Sequence, residues 1–537
     1  MPPEPSHSAH LDTFAREHLP PPQALPDFLF ELPELQFPPR LNCATELLDR
    51  WVAQGQGGRL CVQGHRQRWS YAELQRQANR IAHVLVQDMG LVPGNRVLLR
   101  GANSPMLAAC WFAVVKAGGI AVGSMPLLRA RELAAIVTKA QVSHALCDVR
   151  LADELGLARG DCPSLQQVLT FGGELEARAA GKPAVFDNVD TAADDICLMA
   201  FTSGTTGVPK GTLHFHRDVM AATACWPPHV LRAAPDDVFI GSPPLAFTFG
   251  LGGLLLFPLA IGASTVLVEK TAPDALLQAI AQFRASVCFT APTSYRAMAA
   301  MVAQHDVSSL RKCVSAGEAL PAATRQLWLD STGIQIIDGI GSTELLHIFI
   351  SADEAHARPG ATGVPVPGYR AVVLADDGRE APRGQVGRLA VKGPTGCKYL
   401  DDPRQASYVQ DGWNLTGDAY LVDDDGQFVY QARTDDMIVT GGYNIAGPEV
   451  ESALLLHPAV AECGVIGVPD SARGMVVKAF VVLRPGFAGD AAMVSRLQDF
   501  VKQTIAPYKY PRQVEFRASL PRTETGKLQR FRLREPA

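Results

Sequence analysis

Between Ser70 and Cys147 the apolar residues switch repeatedly from helical to extended spacing and back, and this alternation restricts the fold more than any other feature of the chain. Ser70 followed by Glu73 makes an N-cap with its reciprocal partner, and Leu74, Ala78, Ile81 and Leu85 then recur on one helical face. Gly94 leads into a strand at Val97–Arg100, a second helical pattern covers Met106–Lys116, and a strand follows at Ile120–Val122. The pattern repeats through Arg129–Ala140 and His144–Cys147. Strands separated by helix-length segments are joined by crossovers, so the spacing predicts an α/β fold of parallel sheets layered with helices. A chain of 537 residues also exceeds what one core serves, which predicts two or more domains.

Other stretches depart from this pattern. Residues 1–40 are rich in proline without periodicity and read as an arm laid on the surface. Leu245–Val268 carries no charge, but Pro258 and Gly250, Gly252, Gly253 and Gly262 break it, so a buried helix followed by a strand at Ser264–Val268 is expected rather than a membrane span. From Glu380 the texture turns to hairpins. Beyond Pro448, which with Glu449 and Glu451 opens a helix, strands at Glu462–Val468 and Val476–Leu483 and a helix over Ala491–Thr504 make a compact αβ unit.

A formal net charge of -5 offers no basic field, so neither nucleic acid nor a membrane is an expected partner and any anion site must be local. The eleven cysteines are scattered singly with no C-x-x-C pair, which fits reduced buried thiols of a cytoplasmic protein rather than a disulfide framework or a zinc site. The N-terminus has no basic and apolar signal-peptide pattern. His214 and His216 alternate on one strand, but no third metal ligand is spaced nearby.

Local anion chemistry is concentrated in Phe201–Gly211, where Thr202, Ser203, Gly204, Thr205, Thr206, Gly207 and Lys210 crowd hydroxyls, glycines and one cation together. Glycines let successive N–H groups face one anion, and Lys210 adds a point charge. Only two residues separate Gly204 from Gly207, so the spacing is not that of a Walker loop. A solvated hairpin has the same composition. Phe247, Thr248, Phe249 and Gly250 suit the wall of a flat pocket or an ordinary core. Ser315, Ala316, Gly317 and Glu318 form a strand-to-helix turn. In Gly339-Ile340-Gly341-Ser342-Thr343-Glu344 the glycines permit a planar ring to approach the backbone, Thr343 offers a hydroxyl to phosphate, and Glu344 is a hard oxygen ligand suited to Mg²⁺. Asp418 and Arg433 lie in the hairpin region, and Lys527 follows Gly526 near the end.

These motifs, in this order, resemble the adenylate-forming superfamily of acyl-CoA ligases, peptide-synthetase adenylation modules and firefly-type luciferases, over residues from about 45 to 530. The resemblance implies a large N-terminal domain, 1–434, with a β-rich subdomain, and a small mobile domain, 435–537, with Asp435 as hinge. It implies that Lys210 and its loop hold the β- and γ-phosphates of ATP, Thr343 the phosphate oxygens and Glu344 the Mg²⁺. Asp418 and Arg433 would hold the ribose, Ser315–Glu318 with Asp338, Gly339 and Ile340 the adenine, and Lys527 the carboxylate and bridging oxygens. Gly441, Gly442 and Tyr443 would meet CoA. Ile340, followed by Gly341 and Ser342, replaces the tyrosine common in other branches and is most like benzoate and 2-aminobenzoate CoA ligases. An aromatic acid held by Phe247, Thr248, Phe249, Gly250, Gly317, Ile340, Gly341 and His347 is therefore expected, in a monomer or homodimer. A medium-chain acyl-CoA ligase and a loader of carrier-protein phosphopantetheine are the alternatives.

Overall fold

The structure, a computed structural model, describes residues 7–202, 209–434, 436–440, 443–470, 474–505, 507–522 and 528–534. Ser203, Gly204, Thr205, Thr206, Gly207, Asp435, Gly441, Gly442 and Lys527, and the side chain of Tyr443, lie outside what is described.

The described residues form four sheets. The first has the strand order Gln167–Phe171, His144–Asp148, Arg96–Arg100, Ile120–Ser124, Ile196–Thr202 and Lys210–Phe215, parallel except for the last pair. The second has a parallel centre, Leu60–Gln63, Ser264–Val266, Val238–Gly241, Val287–Thr290, Lys312–Ser315 and Ile336–Gly341, with antiparallel strands at both edges. Arg96–Arg100 is buried along its whole length, as a strand covered on both faces must be. Every residue of the helix Pro105–Lys116 is also buried, which accounts for its lack of a polar face. The helix Tyr71–His83 starts as expected: the Ser70 N–H donates to Glu73 at 2.7 Å and the Glu73 N–H to Ser70 Oγ at 3.3 Å, a cap worth about 1 kcal/mol.

The hairpin region is an antiparallel sheet of Arg370–Leu374, Gly387–Lys392, Trp413–Val422, Val409–Gln410 and Phe428–Arg433. The fourth sheet pairs Val460–Asp470 with Gly474–Leu483 and adds Gln513–Phe516, Ile438–Thr440 and Tyr443–Ile445, with the helices Gly447–Leu455 and Ala491–Thr504 against it.

Two details differ from expectation. The N-terminal arm does not merely lie on the surface. Ala15 and Leu35 are buried, Asp195 in the first sheet's approach accepts from the Ala9 N–H and from Arg16, and Phe28 bridges to Gly393 of the hairpin sheet. The arm thus straps two sheets together through main-chain bonds that carry no periodic signature. The apolar stretch is helical over Thr248–Leu251, widens to a π turn at Gly252–Leu256 and continues as Phe257–Ala260 before the strand Ser264–Val266. Pro258 cannot accommodate the carbonyl four residues before it, and the wider turn absorbs the clash. No described helix is long and apolar enough to cross a membrane.

Candidate active site

Thr202 and Lys210 are cross-strand partners at one end of the antiparallel pair in the first sheet, and the glycine-rich segment runs between them. Lys210 Nζ donates to the Tyr399 hydroxyl at 3.0 Å and lies 3.7 Å from Glu344 Oε1. The Tyr399 hydroxyl in turn donates to Glu344 at 2.5 Å. Burial, reinforced by the Glu344 charge, pushes the Tyr399 hydroxyl far up, so it remains a proton donor to the carboxylate. Glu344 is buried, and among the described residues its second oxygen has no hydrogen bond. A hard carboxylate oxygen held beside a lysine fits a phosphate-bound cation.

Thr343 is held from behind. Its carbonyl lies 2.9 Å from Nε2 of His214, on the same strand as Lys210. Burial, then the Lys398 charge, lowers His214 to about 3, which keeps the ring neutral and leaves Nε2–H to donate. Lys398 pairs with Asp218 at 2.8 Å, both fully buried, next to that ring. His214 and His216 therefore do not act as a pair. Tyr399, His214, Asp218 and Lys398 were not legible as a group, because their partners lie far along the chain. Tyr399→Phe removes a hydrogen bond to a charged group, worth about 1.5–3 kcal/mol, and is expected to lower kcat/KM for ATP roughly tenfold or more in initial-rate assays. An unchanged value would show that the Tyr399 link is idle.

Asp418 and Arg433 face each other across two strands, with Arg433 Nη1 3.1 Å from the carboxylate and 3.0 Å from the Thr416 carbonyl. Gly417 is required here: its φ is +77°, and a Cβ would stand 2.6 Å from the guanidinium. Tyr408, in contact with Ser342, feels both Glu344 and Asp418, and Tyr420 feels both Asp418 and Asp338, so these carboxylates share one neighbourhood. Ser315 and Asp338 are cross-strand partners, and Ala316 is buried beside them. Gly317 is exposed, and Glu318 lies 3.5 Å from Arg522. Arg522 and Leu528 form a β-bridge on either side of the segment that contains Lys527.

Burial raises Asp338 from 3.8 to about 7 against the opposing pull of Arg325. A folded value above the unfolded one means that the contribution present at low pH is lost as pH rises through about 7. Asp338→Asn is expected to flatten the melting temperature of the ligand-free protein over that window and to raise it near about pH 8. Parallel pH profiles for the two proteins in thermal melts would contradict the assignment.

The residues expected to hold the acid divide into two groups. Phe247 and Thr248 line a narrow apolar cavity of about 20 Å³ with Leu107, Trp111, Gly123 and Leu255. That admits a water molecule but not an aromatic ring unless side chains move. Phe249 and His347 do not line that cavity; their ring centroids are 5.7 Å apart, and Trp226 and Phe257 lie 5.8 and 4.4 Å from the imidazole, completing an aromatic box around it. Ile340 packs on the same core, Gly339 lies against Ile348, and Gly341 is exposed. Gly250 closes the preceding turn so tightly that a Cβ would meet the Pro244 carbonyl at 2.1 Å. Burial lowers His347 to about 3 against a weak opposing pull from the Phe249 main chain, a contact that falls short of full hydrogen-bond geometry.

Residues 48–399 match the AMP-binding enzyme family, and residues 449–527 match the AMP-binding enzyme C-terminal domain. The benzoate–CoA ligase of Thauera aromatica is 36% identical over 94% of this chain and 97% of its own. The mitochondrial acyl-coenzyme A synthetase ACSM3 of Mus musculus is 31% identical over 95% and 92%. The crystal structure of the anthranilate CoA ligase AuaEII in complex with anthranoyl-AMP superposes with a TM-score of 0.90 at 35% identity, over 94% of this chain and 98% of that one. These matches cover both ends of the fold and the candidate site between them, and the chain belongs to the AMP-binding enzyme family, as an AMP-forming acyl-CoA ligase of the adenylate-forming superfamily.

Proposed function

We propose that this ligase activates a benzoate-type acid, with 2-aminobenzoate among its substrates, and transfers the acyl group to CoA. The observation that carries the reading is His347: a buried neutral imidazole packed among Trp226, Phe249 and Phe257, whose strongest polar contact is a weak one to the Phe249 main chain. A flat ring that reached this cluster would meet aromatic faces and one polar ring nitrogen. The benzoate and anthranilate relatives support the same reading.

In this scheme Lys210 and the Ser203–Gly207 loop hold the phosphates, Thr343 orients them, and Asp418 and Arg433 take the ribose hydroxyls. Mg²⁺ would neutralise the departing pyrophosphate, with Glu344 as its carboxylate. Residues 435–537 would form a small domain that turns about Asp435, bringing Lys527 in for adenylation and Gly441, Gly442 and Tyr443 in for CoA.

A second reading, an aliphatic acyl substrate, is favoured by the leucine-lined cavity beside Phe247 and by the ACSM3 match. Pyrophosphate release from a panel of acids, with and without CoA, separates the two. Higher kcat/KM for benzoate and 2-aminobenzoate is the expected result. Higher values for octanoate or palmitate would replace the aromatic assignment.

A further inference from the structure

Two consecutive residues of one segment support two consecutive residues of the site. Lys398 and Tyr399 run beside the strand Lys210–Phe215: the Leu213 N–H donates to the Lys398 carbonyl at 2.8 Å, and Thr212 is bridged to Tyr399. Tyr399 donates directly to Glu344. We propose that Lys398 is a positioning residue that does the same for Thr343 through two intermediaries: it holds Asp218, and Asp218 so held leaves His214 free to donate to the Thr343 carbonyl. The inference rests on the reading that Thr343 orients the phosphates of ATP.

Lys398, Asp218 and His214 are all fully buried. Lys398 Nζ lies 2.8 Å from Asp218 Oδ2 and donates to the Gly396 carbonyl at 3.0 Å, with the rings of Phe28 and Phe215 5.1 and 4.8 Å from the ammonium. The same Oδ2 accepts from the Phe215 N–H at 3.0 Å and stands 3.8 Å from His214 Nδ1, too far for a hydrogen bond. A carbonyl oxygen only accepts, so the 2.9 Å contact to Thr343 places the imidazole proton on Nε2. Nδ1 then faces Asp218 without a proton, and it has no hydrogen-bond partner among the described residues. A bare carboxylate at that distance would draw the proton to Nδ1 and turn a lone pair toward the Thr343 carbonyl. Lys398 cancels this pull. The remaining titratable group beside His214 is Cys197 on the neighbouring strand, whose thiol donates to the His214 carbonyl at 3.7 Å.

The test is Lys398→Met in the full chain, with kcat/KM for ATP measured by pyrophosphate exchange and divided by the wild-type value at each pH. At low pH Asp218 and His214 of the variant share an extra proton, and the Thr343 bond survives. As pH rises that proton leaves to solvent, the remaining imidazole proton moves to Nδ1, and the bond is lost. The ratio is therefore expected to fall about tenfold between about pH 5 and pH 9. Lys398→Met/Asp218→Asn removes both charges, so its ratio is expected to be independent of pH and near one. A merely structural ion pair would leave the double variant as impaired as the single one. Because Lys398→Met bares a buried charge and can fail to fold, nitrogen NMR of histidine-labelled wild type reads the ring directly, with His214 identified by the signal missing from His214→Gln. A neutral Nε2–H ring is expected. An imidazolium or Nδ1–H ring in the wild type, or a pH-independent ratio below one in folded Lys398→Met, would overturn the role of Lys398. The expected ring states in wild type and variants with kcat/KM unchanged throughout would instead refute the phosphate reading of Thr343, and with it any catalytic purpose for the contact.

Discussion

Glu344→Gln is expected to lower the adenylation rate by on the order of 10² to 10³, roughly 3 to 4 kcal/mol. The substitution keeps the shape and an oxygen to accept from Tyr399, so the loss reports charge. In the wild type that charge sits 3.7 Å from Lys210 and 2.5 Å from the Tyr399 hydroxyl, buried where screening is weak. On the proposed roles the hard ligand for Mg²⁺ would be gone and Lys210 would lose its counter-charge beside the phosphates. ATP–pyrophosphate exchange measured against magnesium concentration separates these effects. A higher magnesium requirement is expected together with the lower rate. An exchange rate within twofold of wild type would remove Glu344 from the site.

Lys527→Ala is expected to have an effect of the same order or larger on adenylation, and little on the second half-reaction. The flanking residues Arg522 and Leu528 are bridged, and Arg522 lies 3.5 Å from Glu318 of the candidate adenine slot, so both residues that flank the segment with Lys527 are placed near it. The lysine's charge would meet the carboxylate and the α-phosphate as negative charge reorganises between them. On the proposed roles ATP binding would rest mainly on Lys210, Asp418 and Arg433 and should change much less. Acyl-adenylate supplied directly should still react with CoA near the wild-type rate. Equal loss of both half-reactions would contradict an alternating small domain, and unchanged single-turnover adenylation would make Lys527 an ordinary surface residue.

The sheets were legible because their strands are buried on both faces: Val97–Leu99 and Ala145–Cys147 write short continuous apolar runs, and Ser70 with Glu73 announces a helix by its own capping chemistry. Lys210 and Glu344 stand in local clusters of charge, hydroxyl and glycine, whereas Asp418 and Arg433 stand out only through the family resemblance. What joins them was not. Tyr399 reaches Glu344 across 55 positions and His214 reaches Thr343 across 129, so no window of sequence contains either bond. The N-terminal arm was misread for a related reason, since a bridge such as Phe28 to Gly393 uses main-chain groups that every residue carries. Cys43 and His216 are 173 positions apart, so their buried contact leaves no trace in sequence spacing either.

The most direct test of the account follows the oxygen. The wild-type enzyme is given benzoate labelled with ¹⁸O in its carboxylate, together with ATP, Mg²⁺ and CoA, and the products are weighed. If the carboxylate attacks the α-phosphate and the acyl group then passes to CoA, benzoyl-CoA forms with AMP that carries one labelled oxygen, and the pyrophosphate carries none. Formation of ADP with labelled phosphate, or turnover of octanoate but not of benzoate, would contradict it.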